Sequence, residues 1–85
     1  MSIPQAIGQN IAQLRKEKGM SQERLALESD MSVSYLRAIE HGKANPTISA
    51  LGRLAYTLGI SFNTIVVTEA GDDIDETEEY GYIFL

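Results

Sequence analysis

The sequence predicts an all-α fold of five short helices, on three observations. First, Ser2, Ser21, Ser32, Thr47 and Ser61 each precede a stretch of helical character, where a side-chain oxygen satisfies one of the unpaired N–H groups of a first turn. Second, those stretches carry apolar residues three and four apart, the spacing that gives a helix one face to bury. Third, Gly19, Gly42 and Gly59 stand where the periodicity stops.

Ser2-Ile3-Pro4-Gln5 has the form of a capping box, with proline in the first turn where its missing N–H costs nothing. The first helix then runs to about Lys18. Ile7, Ile11 and Leu14 form its apolar stripe, and Gln9, Gln13, Lys16 and Glu17 lie outside. The second helix runs from Gln22 to about Ser29, with Leu25, Ala26 and the following Met31 turned inward. Asp30 sits where the chain must reverse, and Asp is one of the few non-glycine types that tolerates a left-handed or turn backbone. The third helix spans Val33 to about His41. Lys43-Ala44-Asn45-Pro46 is a loop, because Pro46 biases Asn45 away from helical dihedrals. Behind Thr47 the fourth helix has the cleanest period, with Leu51, Leu54, Ala55 and Leu58 on one face. Gly52 inside it costs roughly 1 kcal/mol relative to Ala. It is open to two readings, a close approach by another helix or a second subunit, and a tolerated glycine. A fifth helix, Phe62 to about Val67, follows Ser61. Thr64-Ile65-Val66-Val67-Thr68 is β-branched throughout and also suits a strand.

The stretch Ser21 to Gly42, two helices joined by a tight turn, organises the rest. At about 100° per residue, Ser32, Leu36, Ile39 and Glu40 fall on one side of the third helix, and Ser34, Arg37, Ala38 and His41 on the other. The first set is expected to pack inward. The second is small, polar or basic and fits a groove.

With SQERLA, then YLRAIEHGKANPT, then the leucine-spaced helix, the chain resembles the phage-repressor and Cro-type (XRE) helix-turn-helix family over residues 7–66. The resemblance implies a five-helix lambda-repressor-like DNA-binding domain in residues 1–68. It also implies a sequence-specific transcriptional regulator that binds a palindromic double-stranded operator as a homodimer. The family's base-reading positions fall on Val33, Ser34, Arg37 and Ala38. A guanidinium at Arg37 matches the O6 and N7 acceptors of guanine, a contact of about 1–3 kcal/mol; a phosphate contact and a solvated arginine are its alternatives. Val33 departs from the polar residue common in relatives, so it reads as a contact to a thymine methyl or as a staple onto the second helix. Phosphate contacts are implied for Gln22 and Lys43, with Tyr35, His41 and Asn45 as further candidates. Their bland readings are a helix spacer for Gln22, a loop charge for Lys43, core packing for Tyr35 and solvent for His41. The pair Arg15 and Glu40 is implied to be a structural salt bridge between the first and third helices.

The formal charge of −5 opposes nucleic acid only until its distribution is considered. All seven basic residues precede residue 69 against five acids there, which leaves +2, and the other seven acids fall in residues 69–85. That second segment is an acidic tail, EAGDDIDETEE, followed by YGYIFL. The acidic part cannot bury enough apolar surface to order itself alone. The aromatic part suits a short strand docked on a partner edge or groove. It supports an alternative function, an antitoxin-like interaction module that binds a partner protein through residues 80–85. Asp73 to Glu79 imitates the opening of a calcium loop, but Glu78 stands where the sixth position needs glycine, so it reads as a solvated linker.

Without cysteine there is no disulfide and no thiolate metal site, which fits an intracellular protein. His41 is the only histidine, so neither a His-centred triad nor a Cys/His zinc site assembles within one chain. No catalytic residue, metal or cofactor is expected. No apolar run approaches the roughly 20 residues of a membrane span, and the N-terminus lacks a basic region followed by an apolar one. The expectation is a soluble, cytoplasmic protein with no membrane partner. The tail generates a test, because seven acids beside a +2 body weaken nonspecific DNA binding through the shared field. Deleting residues 69–85 is expected to raise affinity for random duplex in anisotropy titrations, most at low salt; unchanged affinity would contradict this. The alternative is that the tail makes the dimer contact, which ultracentrifugation of the same deletion separates.

Overall fold

The computed structural model describes residues 2–66 as α1 (Ile3–Glu17), α2 (Gln22–Glu28), α3 (Val33–Glu40), α4 (Ile48–Leu58) and α5 (Phe62–Val66). The acidic tail, the expected C-terminal strand at residues 80–85 and the last residue assigned to the fifth helix lie outside the described residues.

Side-chain caps start the helices. The Ser2 hydroxyl accepts from the Gln5 N–H at 3.3 Å while the Ser2 N–H donates to Gln5 Oε1 at 3.0 Å, completing the capping box. Ser21, Ser32 and Thr47 accept in the same way from Arg24, Tyr35 and Ala50, each at 3.0 Å. Each such cap typically contributes about 1 kcal/mol. Ser32 is exposed rather than turned inward, because its hydroxyl serves the cap. Ser61 behaves differently. Its hydroxyl pairs with that of Thr64 at 2.9 Å, and the Thr64 N–H takes the Ser61 carbonyl instead.

The first three helices each end one residue before the periodicity suggests, since Lys18, Ser29 and His41 leave helical dihedrals as C-caps. Asp30 is left-handed, with φ 57°, and lets the Met31 N–H reach the Ala26 carbonyl at 3.0 Å. Gly42, with φ 71°, does the same for Lys43 and Ala38 at 2.8 Å. These reversals satisfy the carbonyls that a helix end orphans. A Cβ at Gly42 would also meet Gln5 Cγ at 2.6 Å, so glycine is needed for space as well as for backbone.

The apolar stripes meet in one core. Ile7 and Ile11 of α1, Leu25 of α2, Leu36 and Ile39 of α3, Leu54 and Leu58 of α4 and Ile65 of α5 are all buried. Each such side chain contributes about 1.5–3 kcal/mol when fully buried. Two details explain the outer helices. Arg53 donates to the Ser29 carbonyl at 3.0 Å and Thr57 to the Glu28 carbonyl at 3.2 Å, so α4 satisfies the C-terminal end of α2. Asn10 donates to the carbonyls of Thr64 and Ile65 at 2.6 and 2.9 Å, so α1 does the same for α5. That partner and the burial of Ile65 are why this β-branched segment is helical through Val66.

α1 crosses α3 at Gly8, where a Cβ would fall against the Ile39 carbonyl oxygen and 2.8 Å from that of Glu40. The contact is backbone against helix surface, and nothing in the periodicity marks Gly8 for it. Gly52 shows the reverse. A Cβ there would meet no described atom within 4 Å, so among the described residues no helix makes the close approach its position in α4 suggested.

An ion pair also joins α1 to α3. Arg15 Nε donates to Glu40 Oε2 at 2.8 Å and Nη2 to Oε1 at 3.1 Å, while Nη1 donates to the Met20 carbonyl at 2.9 Å. The two side chains are 12% and 4% exposed. Removing one partner of a buried pair leaves the other charge uncompensated, at about 3–5 kcal/mol. Glu40→Ala is therefore expected to lower unfolding free energy by about that amount in urea melts, with DNA binding reduced alongside; an unchanged melt with binding lost would contradict the structural role.

Candidate nucleic-acid interface

The exposed side of α3 is fixed by what its other side buries. Leu36, Ile39 and Glu40 face the core, so Ser34, Arg37 and the C-cap His41 project outward, with Val33 and Ala38 half-buried at the borders. Val33 also packs against the core, and Tyr35 does likewise. The Tyr35 hydroxyl accepts from the Thr47 N–H at 3.4 Å, which leaves its own O–H as a donor.

Arg37 does not stand free. Its Nε donates to Gln22 Oε1 at 3.2 Å and its Nη2 to Glu23 Oε2 at 3.4 Å. Gln22, in turn, donates its amide nitrogen to Glu40 Oε1 at 2.9 Å. A chain of contacts thus runs from Arg15 through Glu40 and Gln22 to Arg37 and Glu23, from the buried ion pair to the surface of α3. Each link has one possible direction. The carboxylate of Glu40 only accepts, so Gln22 must offer it the NH₂ end and turn its carbonyl to Arg37. That carbonyl also only accepts, and the guanidinium only donates.

The phosphate candidates lie around this centre. An open groove of about 680 Å³ between α1 and α2–α3 is lined by Gln13, Lys16, Gln22, Glu40 and His41, among others. Lys43 and Asn45 are exposed in the loop after α3, and among the described residues neither Lys16 nor Lys43 forms an ion pair. His41 Nδ1 lies 2.8 Å from the Arg37 carbonyl. Because a carbonyl only accepts, Nδ1 carries the proton there.

The structure therefore brings Gln22, Arg37, Arg15 and Glu40 into one network, turns Ser34 outward with Val33 and Ala38 half-buried, and leaves Lys43 and Asn45 exposed in the loop that follows α3. Sequence reasoning passed over Glu23, Lys16 and Gln13. Glu23 is a solvent-face residue of α2 by periodicity, and only the crossing of α2 and α3 brings it to Arg37. The one available signal was its charge, opposite to that of the lone basic residue on α3. Among the described residues, no helix is long and apolar enough to cross a membrane.

Comparison with known proteins agrees with this geometry. The helix-turn-helix family model (HTH_3) matches residues 11–65. The HTH-type transcriptional regulator y4dJ of Sinorhizobium fredii, itself uncharacterized, is 41% identical over 66 residues, 78% of this chain and 86% of that protein. The immunity repressor protein of Bacillus phage phi105 is 41% identical over 63 residues, but the chain spans only 44% of the repressor's length. The crystal structure of SinR, the master regulator for biofilm formation, in complex with DNA matches with a TM-score of 0.69 at 40% identity. That match covers 72% of this chain and 98% of the SinR chain. The chain belongs to the XRE-type helix-turn-helix family of DNA-binding transcriptional regulators.

Proposed function

We propose that the chain binds a two-fold double-stranded operator as a symmetric homodimer, with α3 of each copy in successive major grooves about 34 Å apart. In this reading Val33, Ser34, Arg37 and Ala38 contact bases. Gln22, Tyr35, His41, Lys43 and Asn45 contact phosphates, which set register without reading sequence. Arg15 and Glu40 hold the frame, and catalysis plays no part.

The observation that carries the reading is the division of α3 between a buried side and an exposed one. The exposed side offers chemistry that base edges can answer: a guanidinium for guanine, a hydroxyl for either sign of partner, and apolar Val33 and Ala38 for a thymine methyl. Support for two copies comes from α4. Ile48 and Tyr56 are 43% and 88% exposed, with open Gly52 between them on the same face. A second subunit that covers this face would remove apolar surface from water and enlarge a body near the lower size limit for a self-sufficient core. The position of the operator relative to a promoter then sets whether binding represses or activates.

Selection of bound DNA from a random pool tests the proposal. The expected consensus is two-fold symmetric, with half-sites about one helical turn apart. Arg37→Ala is expected to relax one guanine position by about 1–3 kcal/mol. Lys43→Ala is expected to weaken all sequences alike and to reduce the salt slope by about one. Salt-independent binding, or none to any duplex, would contradict the proposal and favour docking of residues 80–85 on a partner protein.

A further inference from the structure

We infer that Glu23 is a specificity-determining residue, which holds the Arg37 guanidinium so that its free fork reads a guanine and which disfavours capture of that guanidinium by phosphate. The inference rests on the reading of Arg37 as a base contact and deepens it. Neither the periodicity nor the family's base-reading positions mark Glu23 for this role.

The geometry of the guanidinium carries the first half. Nε–H and one N–H of Nη2 lie along one edge of the planar group, and both point to α2. The Nε contact to Gln22 Oε1 is 3.2 Å and the Nη2 contact to Glu23 Oε2 is 3.4 Å. Gln22 alone would leave the plane free to turn about a single hydrogen bond. Glu23 adds the second point, and two points fix the plane. What remains is the far end of the group, the outer N–H of Nη2 and the N–H of Nη1 beside it, two parallel donors that suit O6 and N7 of guanine. Gln22 is itself oriented by Glu40 at 2.9 Å, so the fixed plane is referred back to the buried ion pair.

Charge carries the second half. The two side chains of the Arg37–Glu23 pair are 50% and 69% exposed, and an exposed pair of this kind does little for folding. Its effect falls on whatever approaches Arg37. A phosphate brings a negative charge within contact range of Glu23, well inside the Debye length of about 10 Å at 0.1 M salt. The acceptors of guanine are neutral and meet no such repulsion. With Glu23 in position, Arg37 favours a base edge over the backbone.

The experiment uses the full chain, the duplex recovered by selection, a copy with the guanine opposite Arg37 replaced, and a random duplex. Glu23→Gln keeps the volume and removes the charge at an exposed position, so its melting temperature should match that of the parent. Discrimination between the two specific duplexes is expected to fall about two- to fivefold, and affinity for the random duplex to rise. The loss of discrimination should not appear when Glu23→Gln is made in an Arg37→Ala background, which separates positioning from a general effect of charge. If Arg37→Ala abolishes the guanine preference while Glu23→Gln leaves it intact, the inference is wrong and the base-contact reading stands. If Arg37→Ala leaves the preference intact, the base-contact reading fails, and the inference fails with it.

Discussion

A buried carboxylate has to be answered, and the answer to Glu40 shapes this protein. Arg15 reaches it from α1 with two hydrogen bonds of 2.8 and 3.1 Å, and Gln22 reaches the same carboxylate from α2. Three helices are therefore tied at one side chain that is 4% exposed. The tie is directional where the apolar core is not. Leucine and isoleucine contacts hold α1, α2 and α3 together at almost any small rotation, whereas a bidentate guanidinium accepts little. The backbone contact at Gly8 closes the remaining freedom, because α1 rests there on the end of α3.

The same tie extends outward. Glu40 orients the Gln22 amide, the amide orients Arg37, and Arg37 lies on the exposed edge of α3 with Ser34. A residue in the core thus governs the presentation of one on the surface. This arrangement explains why α3 can carry so short a list of polar groups and still hold them in fixed geometry. Rigid support behind a binding side chain is what lets it act without first being ordered.

Much of this was legible in the sequence for local reasons. Caps at Ser2, Ser21, Ser32 and Thr47, reversals at Asp30, Gly42 and Gly59, and the stripe of Leu51, Leu54 and Leu58 each depend on neighbours within one or two turns. Faces of α3 followed from the same arithmetic for Leu36, Ile39 and Glu40, but not for Ser32, whose cap keeps it exposed. What escaped depends on how helices cross. Gly8 reads as an ordinary helical glycine until α3 lies on it, and Gly52 invites a neighbour that none of the described residues supplies. Asn10 sits on α1 but serves carbonyls more than fifty residues away. Glu23 and Arg37 are fourteen residues apart on different helices, and no period links them. The β-branched run near Ile65 left helix and strand open because the deciding partner, Asn10, is equally remote.

The central claim is that the Arg15–Glu40 pair serves the interface through geometry rather than through stability alone. Replacing both partners by apolar residues of similar size separates the two, since such replacements in buried ion pairs are often neutral or stabilising. The direct measurement is the guanine discrimination of the Arg15→Met, Glu40→Leu double variant alongside its thermal melt. The account predicts a variant that remains folded but discriminates less well than the parent, because Gln22 has lost the carboxylate that orients it. A folded double variant with the discrimination of the parent would contradict the account.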